Sequence, residues 1–209
     1  MDFKSLINTR KSTRHFTDRT IDKETLKEIV ADAQKTPSWV NSQPWKVYIA
    51  SGKVLDSIKK IYLEKNVAEI PANPDFKFVD KADWPVFTRD NMTNFNKPYP
   101  YGFRQAQWNL FNAPHIAYIT IPKGSPEWAI HDSGMFSQTL MLAAGAKGID
   151  SMIAYNIVKY PDVLKEELAI PDDEIIAVGI ALGYEEKNHP LNKGNQERNS
   201  LDNVLTFMD

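Results

Sequence analysis

No cysteine occurs among the 209 residues of this chain. Disulfides, thiolate nucleophiles and thiolate-bound metal clusters are thereby excluded, so redox chemistry would have to be carried by a bound cofactor. Net charge is also nearly missing. The 25 Lys and Arg set against 27 Asp and Glu leave a formal charge of −2, which gives no global pull toward nucleic acid or an anionic membrane. No apolar run approaches transmembrane length, and Met1-Asp2-Phe3-Lys4-Ser5 lacks the apolar core of a secretory signal. A cytoplasmic protein is expected. No repeat, low-complexity tract or domain boundary interrupts the chain. With 42% hydrophobic and 25% charged residues, residues 1–209 are expected to form one globular domain.

Several familiar signatures fail. Gly52-Lys53 lacks the upstream glycine of a phosphate loop. Gly145-Ala146-Lys147-Gly148 lacks the rest of a dinucleotide fingerprint. The four histidines, His15, His115, His131 and His189, show no zinc-ligand spacing, and no metal site is expected. No Ser-His-Asp set can be argued from separation alone.

What is present begins with Arg10-Lys11-Ser12-Thr13-Arg14. Three cations and two hydroxyls fall within five residues. A guanidinium offers a rigid fork of donors suited to phosphate, and the hydroxyls add short donors. Alone, the stretch also reads as a solvated basic turn after a short helix. A second stretch, Pro37-Ser38-Trp39-Val40-Asn41-Ser42-Gln43-Pro44-Trp45, follows a helix and precedes a strand, with two amides, two hydroxyls and two indoles. It also reads as a connecting turn, since Asn and Ser suit turn geometry.

Residues 2–8 predict a short helix. Asp22 is a good N-cap for a second helix, Ile21 and Leu26 have the spacing of a hydrophobic staple, and Leu26, Ile29, Val30 and Ala33 mark a buried face. Pro37 is expected to end it. Residues 45–50 alternate as a strand, and 54–67 read as a helix. Residues 68–101 are rich in proline and aromatics, a long excursion expected to cover a pocket or a partner subunit. Further helices are expected at 103–111, 128–147 and 161–168, and strands at 115–121, 151–154 and 175–182. The middle of the 128–147 helix, Met135 to Ala146, is almost entirely apolar or small, and a helix apolar all round is central to its assembly. The tail, 184–209, carries Leu201, Val204, Leu205 and Phe207 as an arm that docks on something. This order predicts an α+β or mixed α/β layer, a central sheet flanked by helices.

Taken together, these stretches resemble the FMN-dependent nitroreductase family, which has an Arg-x-Ser-x-Arg segment and, one helix later, a Pro-Ser-x-x-Asn-x-Gln-Pro-Trp loop. The resemblance continues at Asp132-Ser133-Gly134, Gly148-Ile149-Asp150, Ile180-Ala181-Leu182-Gly183-Tyr184 and Arg198, and is weakest at residues 65–105. It implies a homodimer with a mixed sheet, a helical interface and exchanged C-terminal arms, with FMN at the subunit interface. Arg10 and Ser12 would hold the phosphate and ribityl chain, with Lys11 in an often basic position. Arg14 would lie near the pyrimidine edge. Pro37, Ser38, Trp39 and Asn41 would reach the flavin bound mainly by the other subunit. Asp132 would lie near the ribityl chain, or instead pair with a lysine on a helix surface. Ile153 and Ala154 would pass the flavin N5 edge, where the family often has Pro and Gly. Arg198 would bind phosphate, with Gln196 where many members carry a cation.

The activity so implied is an oxidoreductase passing electrons from NADH or NADPH through FMN to nitroaromatic or quinone-like acceptors in a ping-pong cycle. The hydride step needs no side-chain base, because the cofactor carries that chemistry. Aromatics from residues 84–103 are candidates for a lid. Two alternatives stand beside it: another flavin chemistry on the same fold (dehalogenation, enone reduction or flavin fragmentation), and a non-enzymatic flavin-binding sensor.

Overall fold

Strand β2 (His115–Pro122) is buried at seven of its eight positions, and the reason lies on its two sides. The computed structural model describes residues 2–93, 101–193 and 197–208. In it β2 pairs antiparallel with β1 (Lys46–Ser51) and with β4 (Glu174–Gly183), and β4 pairs antiparallel with β3 (Asp150–Ile153), giving the order β1-β2-β4-β3. A parallel bridge between Ser12 and Ser151 extends the sheet beyond β3. Successive side chains point to opposite faces. Ile116 and Tyr118 enter one core with Leu55, Ile58, Tyr62 and Phe111. Ala117 and Ile119 enter another with Leu26, Ile29, Phe136 and Leu140. Both faces are covered, so the strand is apolar throughout rather than alternating.

The first core is roofed by α3 (Gly52–Val67), α5 (Phe103–Trp108) and α7 (Pro161–Leu168). The second is roofed by α2 (Lys23–Ala33) and α6 (Glu127–Ala146). The α+β architecture of a central sheet flanked by helices is therefore the one the sequence predicts. Asp22 caps α2 as expected, its carboxylate accepting the Thr25 N–H at 2.8 Å, with Ile21 and Leu26 both buried. Asp2 caps α1 (Phe3–Thr9) likewise through Ser5 N–H at 3.0 Å.

Three expectations are corrected. Helix α2 stops at Ala33, before Pro37 can act, in a turn in which Lys35 and Thr36 N–H donate to Asp32 and Ala33 carbonyls. The 103–111 helix ends at Trp108. Leu110, Phe111 and Asn112 then take left-handed φ of 48°, 60° and 59°, which turns the two apolar side chains into the core. Helix α6 is not buried all round: Ala129, Asp132, Ser133, Phe136, Ser137, Leu140, Met141 and Ala144 form one buried stripe, while Trp128 and Ile130 on other faces are exposed. Within the excursion, α4 (Val86–Thr93) and a single turn at Lys81–Asp83 are helical. Among the described residues no helix is long and apolar enough to cross a membrane.

Candidate functional site

The basic segment is laid along the outer edge of the sheet. Arg10 closes α1, its N–H donating to the Leu6 carbonyl at 3.0 Å. The chain then runs abreast of β3 in the same direction, and Thr13 N–H donates to the Ser151 carbonyl at 3.0 Å. Arg14 thus lies toward Ile153 and Arg10 away from it. Among the described residues the Arg10 guanidinium and the Ser12 hydroxyl have no hydrogen-bond partner. Arg14 is 9% exposed; its Nη1 donates to the Ser12 carbonyl at 3.3 Å, while its Nε is buried without a partner among the described residues. A buried, unpaired guanidinium N–H is costly, so an acceptor belongs here. Lys11, expected in an often basic position of the cradle, is held by the chain itself. Its Nζ lies 2.6 Å from Glu185 and donates to the Asn192 carbonyl at 3.2 Å, pinning the segment that leads into the tail.

Past the end of β3 lies an apolar cavity of about 630 Å³. Ile153, Ala154 and Tyr155 line one side; Phe76, Phe78 and Trp84 line the other. The Phe78 and Tyr155 rings meet at 5.3 Å. Residues 74–92 of the excursion thus contribute to the lining of a pocket, partly with aromatics that precede residue 84. Phe95 and Tyr99 lie outside the described residues, and Tyr101 is fully exposed. Behind the lining residues Ala177 and Val178, Gly179 of β4 lets Ile157 pack close, because a Cβ there would sit 2.2 Å from Ile157 Cγ2. Ser151 and the cavity wall are two to three residues apart on one strand, roughly 7–10 Å. A cationic cradle and an apolar slot thus share β3.

The Pro37–Trp45 loop is built differently. Val40, Asn41 and Gln43 all have left-handed φ, of 50°, 57° and 44°, and for a β-branched residue such as Val40 that is a true outlier. Such strain persists only where surrounding bonds enforce it. Ser38 Oγ accepts the Gln43 N–H at 2.9 Å, and Gln43 Nε2 donates to Asn41 Oδ1 at 3.1 Å. Asp132 of α6, 2% exposed, accepts the Trp39 N–H at 2.9 Å. This corrects the lysine-pair alternative, since Asp132 is buried under the loop, with exposed His131 as its side-chain neighbour at 3.3 Å. Pro37 is exposed and Ser38 half-buried. Trp39 and Val40 stand out at 58% and 79% exposure.

Arg198 is exposed in the tail and donates from Nη1 to the Glu197 carbonyl at 3.1 Å; Gln196, with the departure it carries, lies outside the described residues. Sequence spacing missed one cluster entirely. His15, Glu186 and His189 come together although they stand at opposite ends of the chain. No local signal could have found it, because the meeting depends on how residues 185–192 fold back.

Residues 7–184 match the profile of the Nitroreductase family. Among curated relatives, a nitrobenzene nitroreductase of Ectopseudomonas oleovorans is 28% identical over 97% of this chain and 95% of its own length. A 4-nitrobenzoate reductase of Nocardioides sp. (strain LMS-CY) is 24% identical over 99% and 90%. Among solved structures, the FMN-dependent nitroreductase NfnB from Mycobacterium smegmatis in complex with NADPH superposes with a TM-score of 0.86 at 24% identity, covering 99% of this chain and 97% of that one.

Proposed function

Because the chain belongs to the nitroreductase family, we propose that it is an FMN-dependent oxidoreductase that uses NADPH or NADH to reduce nitroaromatic or quinone-like acceptors. The observation that carries this reading is the cradle and slot on β3: Arg10 and Ser12 side chains and a buried Arg14 Nε without partners among the described residues, and an apolar cavity beyond Ile153. These suit a ligand with a phosphate at one end and a flat aromatic ring at the other. Relatives named for nitroarene reduction, and a neighbour solved with NADPH, support the same reading.

Arg10 and Ser12 would hold the phosphate, with Arg198 reaching it from the tail. Arg14, locked between β3 and the core, would present fixed positive charge near the ring. Bound there, FMN would supply the hydride and electron-transfer chemistry that the side chains lack. Ile153 and Ala154 would line the ring edge, and the Phe76, Phe78 and Trp84 side would keep water from it and hold an acceptor flat. Lys11 would act indirectly, by fixing the chain behind the cradle.

The remaining contacts call for a second copy. Leu6, just before the cradle, lies over Gly145 near the C-terminal end of α6, whereas Trp39 is anchored at Asp132. These anchors are 13 residues apart, roughly 20 Å along the helix. One chain thus keeps its cradle and its Pro37–Asn41 loop apart, while two copies related by a two-fold axis could bring the loop of one to the cradle of the other. The exposed Trp39, Val40, Leu201, Val204 and Phe207 support such a dimer with exchanged arms. Each chain would act as one domain over 1–209, in the cytoplasm.

Absorbance of protein purified without added cofactor tests this. The expected result is a yellow protein, bleached by NADPH or NADH without oxygen and recoloured by a nitroarene. A yellow protein that neither donor bleaches would favour a flavin-binding sensor. A colourless one that takes up no FMN would overturn the reading.

A further inference from the structure

Outside the cradle and slot, one cluster gathers groups that ordinarily ligate metal. His15 Nδ1 lies 2.8 Å from a Glu186 oxygen, and the ligand atoms of His15, Glu186 and His189 all fall within 4.8 Å of one another. His15 Nδ1 is buried and makes no aligned hydrogen bond. Two ligands on a tetrahedral zinc ion stand about 3.3 Å apart, given zinc–nitrogen and zinc–oxygen bonds near 2.0–2.1 Å. The two imidazoles are stacked, with centroids 3.9 Å apart and planes within 12°, so the stack must open, with both rings rotating, for their in-plane lone pairs to meet at one ion. Besides that stack, His189 would give up a long contact, in which its Nδ1 accepts the Leu191 N–H at 3.3 Å.

The surrounding chain makes the cluster a built feature. Asn192, 4% exposed, accepts the Arg14 and His15 N–H groups on Oδ1 at 2.7 and 3.0 Å, and donates from Nδ2 to the His15 and Glu186 carbonyls at 2.7 and 3.2 Å. The Glu186 N–H also donates to the His15 carbonyl at 3.2 Å. The three ligand-bearing residues are thus fixed at the backbone, leaving only side-chain rotation to be spent on binding. A cavity of about 420 Å³, walled by both histidines, Gln105 and Asn109, adjoins the cluster. It leaves room for water or a small ligand at a fourth position.

We propose that His15, Glu186 and His189 form a divalent transition-metal site of the zinc class, three protein ligands with one open position. The ion would clamp the 185–192 turn onto the segment that carries Arg14 and Lys11. The proposal does not depend on the flavin reading, and it revises the expectation that no metal is bound.

The test is a calorimetric titration of untagged, chelator-treated protein with Zn²⁺, repeated for His15→Ala, His189→Ala and Glu186→Gln, with His131→Ala as a control outside the cluster. The expected result is one saturable site per chain, weakened at least tenfold in each cluster variant and unchanged in the control, with Zn²⁺ raising the Tm of the wild type and not of His189→Ala. Because a variant could misfold, Co²⁺ is added to the wild type as well. Absorption bands of tetrahedral cobalt at wavelengths beyond the flavin bands are expected. No saturable Zn²⁺ binding, or binding that survives loss of both histidines, overturns the proposal.

Discussion

The two stretches that mark this chain, residues 10–14 and 37–45, are built on opposite plans. The cradle is threaded against β3, and its Arg14 is buried and shielded. The loop projects, with three left-handed residues and two large apolar side chains in water. One is braced against the sheet within a single chain; the other is held in a costly conformation by bonds from beneath, and its tip is exposed. A binding site shared between subunits needs both kinds of part: a rigid seat, and a preset probe that the partner provides.

The largest effect is expected on β4, next to the residues that line the slot. Gly179→Val would drive a side chain into Ile157, and overpacking of this kind costs about 1–3 kcal/mol or more. Chemical denaturation should show that loss, and Ile157→Ala in the same chain should recover part of it. Next is the loop's anchor. Asp132→Ala removes the acceptor for the Trp39 N–H, with an expected loss of about 1–3 kcal/mol. Asp132→Asn, which keeps an acceptor oxygen, should lose less. If both variants match the wild type in stability and flavin content, the loop is not held from beneath. Arg10→Ala leaves the fold intact, because the guanidinium bonds to no described residue. Losing a charge-assisted phosphate contact of about 1.5–3 kcal/mol should weaken FMN binding some ten- to hundredfold in a fluorescence titration.

A smaller effect is read from acid. Burial alone would raise the Glu174 carboxyl, but bonds from Lys46, Thr120 and Tyr48 outweigh it and hold the pKa below its ordinary 4.5. The stability this contributes is complete above the unfolded value and is lost as pH falls through the folded one. Glu174→Gln should therefore flatten the fall in Tm below about pH 4.5. Least of all, Phe207→Ser should leave the fold of each chain unchanged, since the ring is 79% exposed. If the arms are exchanged as proposed, sedimentation should reveal a weaker dimer.

Local patterns were legible in the sequence and meetings were not. Asp22, Ile21 and Leu26 announce the start of α2 because capping is decided within a few residues. The end of α2 did not follow from Pro37, because a turn intervened first. The left-handed run at Leu110–Asn112 has no glycine to signal it; burial of Leu110 and Phe111 imposes it. For the site, Arg10, Ser12 and Arg14 could be picked out by type and spacing, and family resemblance pointed to the loop. That Asp132 lies under Trp39, or that Lys11 turns to Glu185, depends on contacts between distant parts of the chain, which spacing does not encode.

The amide of Asn192 joins the backbone of Arg14 and His15 to that of Glu186. The tail's departure point and the cradle therefore share one fastening, and local opening of either must undo the other. Amide protons of residues 14 and 15 should exchange with solvent as one cooperative unit, at the rate at which the 185–192 turn detaches. Any pull on the arm by a neighbouring subunit would be transmitted to the guanidinium of Arg14, so assembly state and grip on a bound anion would be two readings of one local equilibrium.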